Sequence, residues 1–473
     1  MNRAISHFDK NTLDQVHRYS LELLADCGIR FSSRKALDFF KHRGLRVDGR
    51  TVFFKEKDIT AALARVPPQF SIKARNAARN ITVGGGLFMM APGYGPPFVI
   101  TAEGEKRDAV LADVHRFCRL VQTSRVLDFN SAIIVQPTDV PIQTAHLDIL
   151  MATIQLTDKP MMGSSVSEAA ALDSLALARR IWGEIAAPVM ISLVDSLPPL
   201  QYADESVESL MVYARAGQPV IIHSACSLGA TGPITIAGSL VISNATTLAG
   251  ICLAQLINPG TPVVYGLGGS PVDMRTGGYV NASPEDVKHT AIAGAMGRYY
   301  GIPCRSQGAL TESFRLDYQA GMESAMMLAT AGLSGADISL HACGTYGAML
   351  AMSYEKFIAD EDLCAALKKL LQPVDFSQDA FALDLIKTMG HSSSYLMQDH
   401  TVQRCRTAFF EPVLGIRSIY DQWRQMNPRD MAARAANILS ERLAAYEKPD
   451  IDPGLERDLG RYVTQRKNDG SGH

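Results

Sequence analysis

PCRSQGALTESFRLDYQAGMESAMMLATAGLSGADISLHACGTYGAML, residues 303–350, decides the fold. Two short apolar runs, 303–307 and 337–341, each break into a polar loop, and a helix-forming segment, 317–333, connects them. That order predicts two parallel strands joined by a helical crossover. The first loop carries Gln307, Thr311, Glu312, Ser313, Phe314, Arg315 and Asp317. The second carries His341, Cys343, Thr345 and Tyr346. Parallel strands end on one side of a sheet, so both loops open at one mouth, where a closed barrel of such units gathers its chemistry.

The same rhythm extends outward from this stretch. Short apolar runs recur at 87–91, 129–135, 160–163, 188–194, 219–223 and 262–265 before the two already quoted. Helix-like segments follow at 108–123, 142–157, 168–182, 203–216, 236–258, 284–300, 317–333 and 354–371. Pro160, Pro188, Pro219, Pro262 and Pro303 each stop an incoming helix and set the first residue of a strand. Eight strand-then-helix units are what a (β/α)8 TIM barrel requires, and this α/β fold is the expectation. Before it, residues 1–86 predict a mixed cap. Helices are expected at 13–26, 33–43 and 57–65, a hairpin at 45–54 turning on Asp48-Gly49, and short strands at 70–74 and 80–83. The barrel is expected over 87–375. Residues 376–473 read as a C-terminal helical extension with a frayed tail, RKNDGSGH.

The composition narrows the functional classes. The chain has 473 residues, 47% hydrophobic and 20% charged, with a formal net charge of -2, so no basic field favours nucleic acid or an anionic membrane. The start, MNRAISHFDKN, lacks the apolar core of a signal peptide, and runs such as 188–193 are too short to span a membrane. The eight cysteines show no framework spacing, which fits reduced thiols in a cytoplasm. A homo-oligomer is compatible with all of this.

At the predicted strand ends stand Tyr94 and Phe98, Gln136 and Asp139, Ser164 and Ser165, Asp195 and Ser196, His223 and Cys226, GLGGSPVDMRTGGYV (266–280), and the two loops above. Each has a plain structural reading. The aromatics can plug the mouth, a lone histidine can be a hydrogen-bonded core residue, and Asp139 and Asp195 can cap helices. GLGG lacks the spacing of a phosphate cradle, and Ser283 with Pro284 reads as a helix start. His341-Ala-Cys343 has the look of a zinc pair, but no second cluster follows at ligand spacing, so no tightly bound metal is expected.

Three stretches carry a resemblance: GLFMMAPGYGPPFVI (86–100), GALTESFRLDYQAGMES (308–324) and HACGTYGAML with SYEKF (341–357). Together they resemble the trimethylamine methyltransferase superfamily of corrinoid-dependent methyltransferases, in its branch without pyrrolysine. The likeness covers nearly the whole chain. It implies a barrel that moves a methyl group from an amine to the cobalt(I) corrinoid of a separate protein. The position of pyrrolysine in the archaeal enzymes corresponds to Phe314 here, which points away from trimethylamine and toward a quaternary amine, glycine betaine first. A quaternary ammonium already carries its charge, so binding and orientation dominate the chemistry. Aromatic faces suit such a cation, and Tyr94, Phe98, Phe314 and Tyr346 are the candidates. A betaine carboxylate wants donors, for which His223, Gln307, His341 and Arg305 are available. No catalytic residue is assigned. The sequence lacks the Asp-x-His-x-x-Gly signature of a corrinoid carrier, and the nearest string, from Asp113 to Cys118, falls on a predicted helix. The corrinoid is therefore expected on a partner protein. The competing readings are another betaine, of the proline betaine or carnitine type, a zinc-dependent thiol:corrinoid methyltransferase using His341 and Cys343, and a quaternary-amine-binding protein without turnover.

Overall fold

The computed structural model describes residues 8–391, 394–426 and 429–470. Its central sheet has seven parallel strands: β1 (Met89–Met90), β2 (Met161–Gly163), β3 (Met190–Asp195), β4 (Val220–Leu228), β5 (Val263–Pro271), β6 (Cys304–Gln307) and β7 (Ile338–Leu340). They are ordered β1-β7-β6-β5-β4-β3-β2. The two ends of this row are joined by an extended segment that forms no regular ladder. Asp128 N–H donates to Met90 O at 2.8 Å and Asn130 N–H to Pro160 O at 3.0 Å. This segment is the second stave of the barrel predicted at 129–135. It stays irregular because its neighbour is interrupted: Pro92, Pro96 and Pro97 follow β1 and cannot donate to a ladder.

Eight helices flank the barrel: α1 (Leu111–Thr123), α2 (Ala145–Leu156), α3 (Glu168–Trp182), α4 (Asp204–Arg215), α5 (Ile236–Ile257), α6 (Pro284–Tyr300), α7 (Tyr318–Leu333) and α8 (Tyr354–Leu370). All eight lie where the apolar spacing places them. The prolines that open the strands take part through their carbonyls. Pro219 O accepts from Ser192, Pro262 O from Val220 and Pro303 O from Tyr265, so a residue without an N–H still joins its neighbour on one side.

Residues 8–86 form helices at Lys10–Asp26, Arg34–His42 and Glu56–Leu63 and hairpins at 46–53 and 69–84, with an unexpected strand, Ile29–Phe31, that pairs with Gln201–Tyr202 ahead of α4. The apolar residues of this cap belong to the same core as the barrel. They explain α5, which is long and apolar enough to cross a membrane although the sequence reading saw no such run. Most of α5 is buried, because cap helices cover its outer side while β4 and β5 cover its inner side. At the other end of the chain, the helix Pro453–Gly470 lies across α2 and α3. Buried Asp173 of α3 holds it, receiving Tyr462 Oη at 2.6 Å and Arg466 Nε at 2.7 Å as well as His146 of α2 at 2.9 Å. The tail expected to fray is thus helical to Gly470, and residues 471–473 lie outside the described set.

Candidate active site

β3, β4 and β6 build the centre of the mouth. Asp195 pairs in register with His223, His223 with Gly266 of β5, and Gly266 with Arg305. Register partners on parallel strands share a face, so the four positions form one inward layer. Gly266 is required there. A Cβ would lie 3.0 Å from both His223 Cβ and the Ile222 carbonyl, and it would stand in the gap that His223 spans to reach Arg305. Gly268 gives room in the same way, since its Cβ would meet His223 Nε2 at 2.8 Å. The GLGG string therefore makes space for a histidine.

His223 Nδ1 lies 2.6 Å from Asp195 Oδ1, and Arg305 Nη1 lies 2.8 Å from His223 Nε2. A guanidinium only donates, so Nε2 is the acceptor, Nδ1 carries the proton, and the imidazole is neutral. Burial and the Arg305 charge depress the His223 pKa against the pull of Asp195. Burial is the largest influence on Asp195 and pushes its pKa up. The His223 hydrogen bond and the Arg305 charge outweigh it and hold the carboxyl below its usual range. The Asp195 side chain is nevertheless 57% exposed. A carboxylate ringed by protein yet open to water lines an internal recess. Tyr94 shares that recess, with its pKa raised by burial and by Asp195, and its hydroxyl meets Ser165.

His341 closes the other side. It has φ +59°, a strained value for a residue with a Cβ, and its Nδ1 accepts from Tyr94 N–H at 3.3 Å. Its remaining proton therefore sits on Nε2. Burial, with the Arg305 charge added, lowers its pKa to about 3. Gly308 lets the two loops meet, since a Cβ there would lie 2.6 Å from the Ala342 backbone. Gln307 shares the parity of Arg305 and is buried with Oε1 unpaired, and Arg305 Nε also has no partner.

Tyr94, His223 and His341 thus gather around Asp195 and Arg305, while Gln307 lies two residues past Arg305 on β6. The other predicted aromatics lie elsewhere. Phe98 and Tyr346 pack with Ile100, Ala320 and Ala351 in a separate small cluster, with Lys106 Nζ 4.0 Å above the Phe98 ring. Phe314 is 49% exposed and lies against Gly347. It lines a rim groove of about 810 Å³ with Tyr346, Leu316 and Asp430. Cys343 Sγ lies 3.8 Å from Cys364 Sγ of α8, and among the described residues no group of three His, Cys, Asp or Glu is arranged to hold a metal ion. Asp113, read as a near match to a corrinoid signature, is a helix-start residue: it accepts from Val110 N–H at 2.9 Å and from Arg107 at 2.6 and 2.7 Å. Asp139 accepts from Leu111 N–H at 2.8 Å, so it serves α1 and not the helix after it.

Sequence reasoning weighed Asp195 only as a cap. The available signal was positional, since the predicted runs 188–194 and 219–223 bring Asp195 and His223 to matched positions on neighbouring strands. Behind the recess, burial raises the pKa of Asp286 from 3.8 to about 7, opposed by hydrogen bonds from Ala282 N–H and Ser270. A carboxyl that holds its proton more tightly when folded stabilises the protein at low pH, and that contribution is lost as pH rises from about 4 to about 7. Asp286→Asn is expected to flatten this fall and raise the melting temperature at pH 8, as thermal melts from pH 5 to 8 would show.

Fold and site define an enzyme of the (β/α)8 class, with a charged, water-accessible pocket at the C-terminal ends of its strands. The chain belongs to the trimethylamine methyltransferase (MTTB) family, whose model matches residues 2–471. It is 36% identical to a glycine betaine methyltransferase of Desulfitobacterium hafniense, over 98% of each chain. It is 32% identical to a proline betaine:corrinoid methyltransferase of Eubacterium limosum, over 96% of each. The monomethylamine methyltransferase of Methanosarcina barkeri shares the fold with a TM-score of 0.56 at 13% identity, over 95% of this chain and 90% of that one.

Proposed function

We propose that this protein transfers a methyl group from a quaternary amine, glycine betaine foremost, to the cobalt(I) corrinoid of a separate protein. The end-to-end 36% identity to a glycine betaine methyltransferase carries the reading. The recess supports it. Asp195 and Arg305 balance one another, so a zwitterion enters without leaving a net charge buried. The ammonium sits against the Tyr94 ring and the Asp195 carboxylate. The carboxylate of the betaine takes donors from His341 Nε2–H and Arg305, with Gln307 beside them. His223 spends both ring nitrogens on protein and is a positioning residue. When the C–N bond breaks, its electron pair stays on nitrogen and the leaving group is a neutral tertiary amine, so no general acid is needed. Phe314 and Tyr346 line the outer groove, where the corrinoid protein approaches. The eight free thiols and a reduced cobalt acceptor both suit the cytoplasm.

The test mixes the purified protein with cobalt(I) cobalamin and one amine at a time. Glycine betaine should yield dimethylglycine and a methylated corrinoid. No product from glycine betaine, proline betaine, carnitine or trimethylamine would reject the reading. Tyr94→Ala removes one cation–π face and is expected to raise the KM for betaine about tenfold with a smaller change in kcat, read from initial rates.

A further inference from the structure

Among the described residues around the recess, none is poised to release a proton at neutral pH. His223 spends Nδ1 on Asp195 and Nε2 on Arg305. His341 gives Nδ1 to Tyr94 N–H, and burial with the Arg305 charge lowers its pKa to about 3, so it is a neutral imidazole. Burial, with the Asp195 charge added, raises the Tyr94 hydroxyl far above its ordinary range. Burial also raises Asp195, but the His223 hydrogen bond and the Arg305 charge bring it below the usual carboxylate range, so it stays ionised. Arg305 only donates and keeps its charge. Asp286 lies behind the recess, where it accepts from Ala282 N–H at 3.0 Å ahead of α6.

A site built this way suits a donor whose leaving group departs without a proton. The heteroatom that holds the methyl must be positive before attack and neutral after it. A quaternary nitrogen meets this condition, and so does a sulfur bonded to three carbons. The two groups assigned to the cation, the Tyr94 ring and the Asp195 carboxylate, respond to positive charge and not to the number of methyl groups around it. The lone pair of a sulfonium is not basic, so burying it leaves no acceptor without a donor. The carboxylate end of such a molecule is the same as that of a betaine and meets the same donors, Arg305 and His341.

We propose, as an extension of the binding mode given above for glycine betaine and resting on it, that the same recess demethylates sulfonium zwitterions, in which a sulfur bearing two methyl groups and a carboxymethyl group carries the positive charge. One methyl carbon accepts an electron pair from cobalt(I) and forms the carbon–cobalt bond. The carbon–sulfur bond breaks with its pair left on sulfur, so a neutral thioether departs and no proton moves. A thioether is a weaker base than a tertiary amine and leaves more readily. The sulfonium has one methyl fewer than the ammonium, which weakens binding by about tenfold.

The test mixes the full-length chain with cobalt(I) cobalamin and dimethylsulfonioacetate. Proton NMR follows (methylthio)acetate and absorbance follows the methylated corrinoid, each corrected for the rate without enzyme. Turnover should saturate, with a KM about tenfold above that for glycine betaine and a kcat no lower. Glycine betaine should inhibit it competitively, and Asp195→Asn should weaken both donors together. Calorimetry without any corrinoid reads binding alone. Dimethylsulfonioacetate should bind, and the tert-butylacetate anion, which has the shape of betaine but no cation, should bind about tenfold more weakly or worse. Turnover of glycine betaine with the sulfonium held at the enzyme-free rate would overturn the sulfonium activity and leave the proposed function standing. Failure of both donors would reject the proposed function and the sulfonium activity with it. Sulfonium turnover that glycine betaine does not inhibit, or equal binding of the uncharged analogue, would also overturn it.

Discussion

Asp195→Asn is expected to lower kcat/KM for methyl transfer from glycine betaine by about 100-fold or more, a loss of about 3 kcal/mol of transition-state stabilisation. The amide keeps the shape of the carboxylate and can accept from His223 Nδ1–H through its oxygen. What disappears is the negative charge that His223 holds in place and that offsets Arg305. That charge has two functions in the proposed mechanism. It attracts the ammonium, and with Arg305 it keeps the empty pocket neutral. In the variant Arg305 stands uncompensated, so the ammonium end of the zwitterion loses its counter-charge and faces a net positive field. Binding measured by calorimetry should therefore weaken along with turnover. The melting temperature should change by only a few degrees, because Asp195 stays accessible to water and the amide still fills its place. Unchanged kinetics with glycine betaine would remove Asp195 from the substrate site. His223→Ala supplies the contrast. As a positioning residue its loss should lower kcat more than it raises KM, because Arg305 and Asp195 remain but are no longer held in line.

Lys356→Ala is expected to destabilise the fold by about 3–5 kcal/mol, the usual result of leaving one partner of a buried ion pair alone. Lys356 is completely buried. Its Nζ lies 2.6 and 2.8 Å from Asp360, 3.0 Å from Ala309 O and 3.0 Å from Ser324 Oγ. Asp360 in turn accepts from Gly344 N–H at 2.8 Å. One ammonium therefore ties α8 to the loop after β6, to α7 and, through Asp360, to the loop after β7. The single variant breaks all of these ties and strands the Asp360 carboxylate in the interior. Lys356→Met with Asp360→Leu removes both charges together and should recover much of the loss. Urea unfolding of the two single variants and the double variant closes the cycle, and a double variant no better than the singles would contradict this account. Because the pair positions both mouth loops, the double variant should fold and still turn over slowly.

The architecture was legible because its signals are local. Proline at the start of a strand, apolar spacing along a helix and a Ser-Pro pair at a helix start act within a few residues, and they place eight helices and the starts of seven strands, while β4 and β5 run on to Leu228 and Pro271, beyond the expected ends at 223 and 265. The second stave lost its ladder because three prolines on its neighbour removed the donors, which a run of apolar residues does not report. Lys356 and Gly308 lie within stretches quoted for their resemblance to the family. Their task is to fix the mouth loops, and that is visible only once α7, α8 and the loops are in contact.

By itself the sequence determined the barrel and the set of polar side chains that its strand-end loops present. The tertiary structure alone decided which of these meet. Asp195 and His223 are 28 residues apart, and His223 and Arg305 are 82 apart. They come within hydrogen-bond distance because strand register sets them in one layer and Gly266 between them has no side chain. The four aromatics expected around one cation divide for the same reason. Tyr94, four residues past β1, meets Ser165 near Asp195, while Phe98 and Tyr346 lie in short strands that pack in a separate cluster and Phe314 stands exposed in the outer groove.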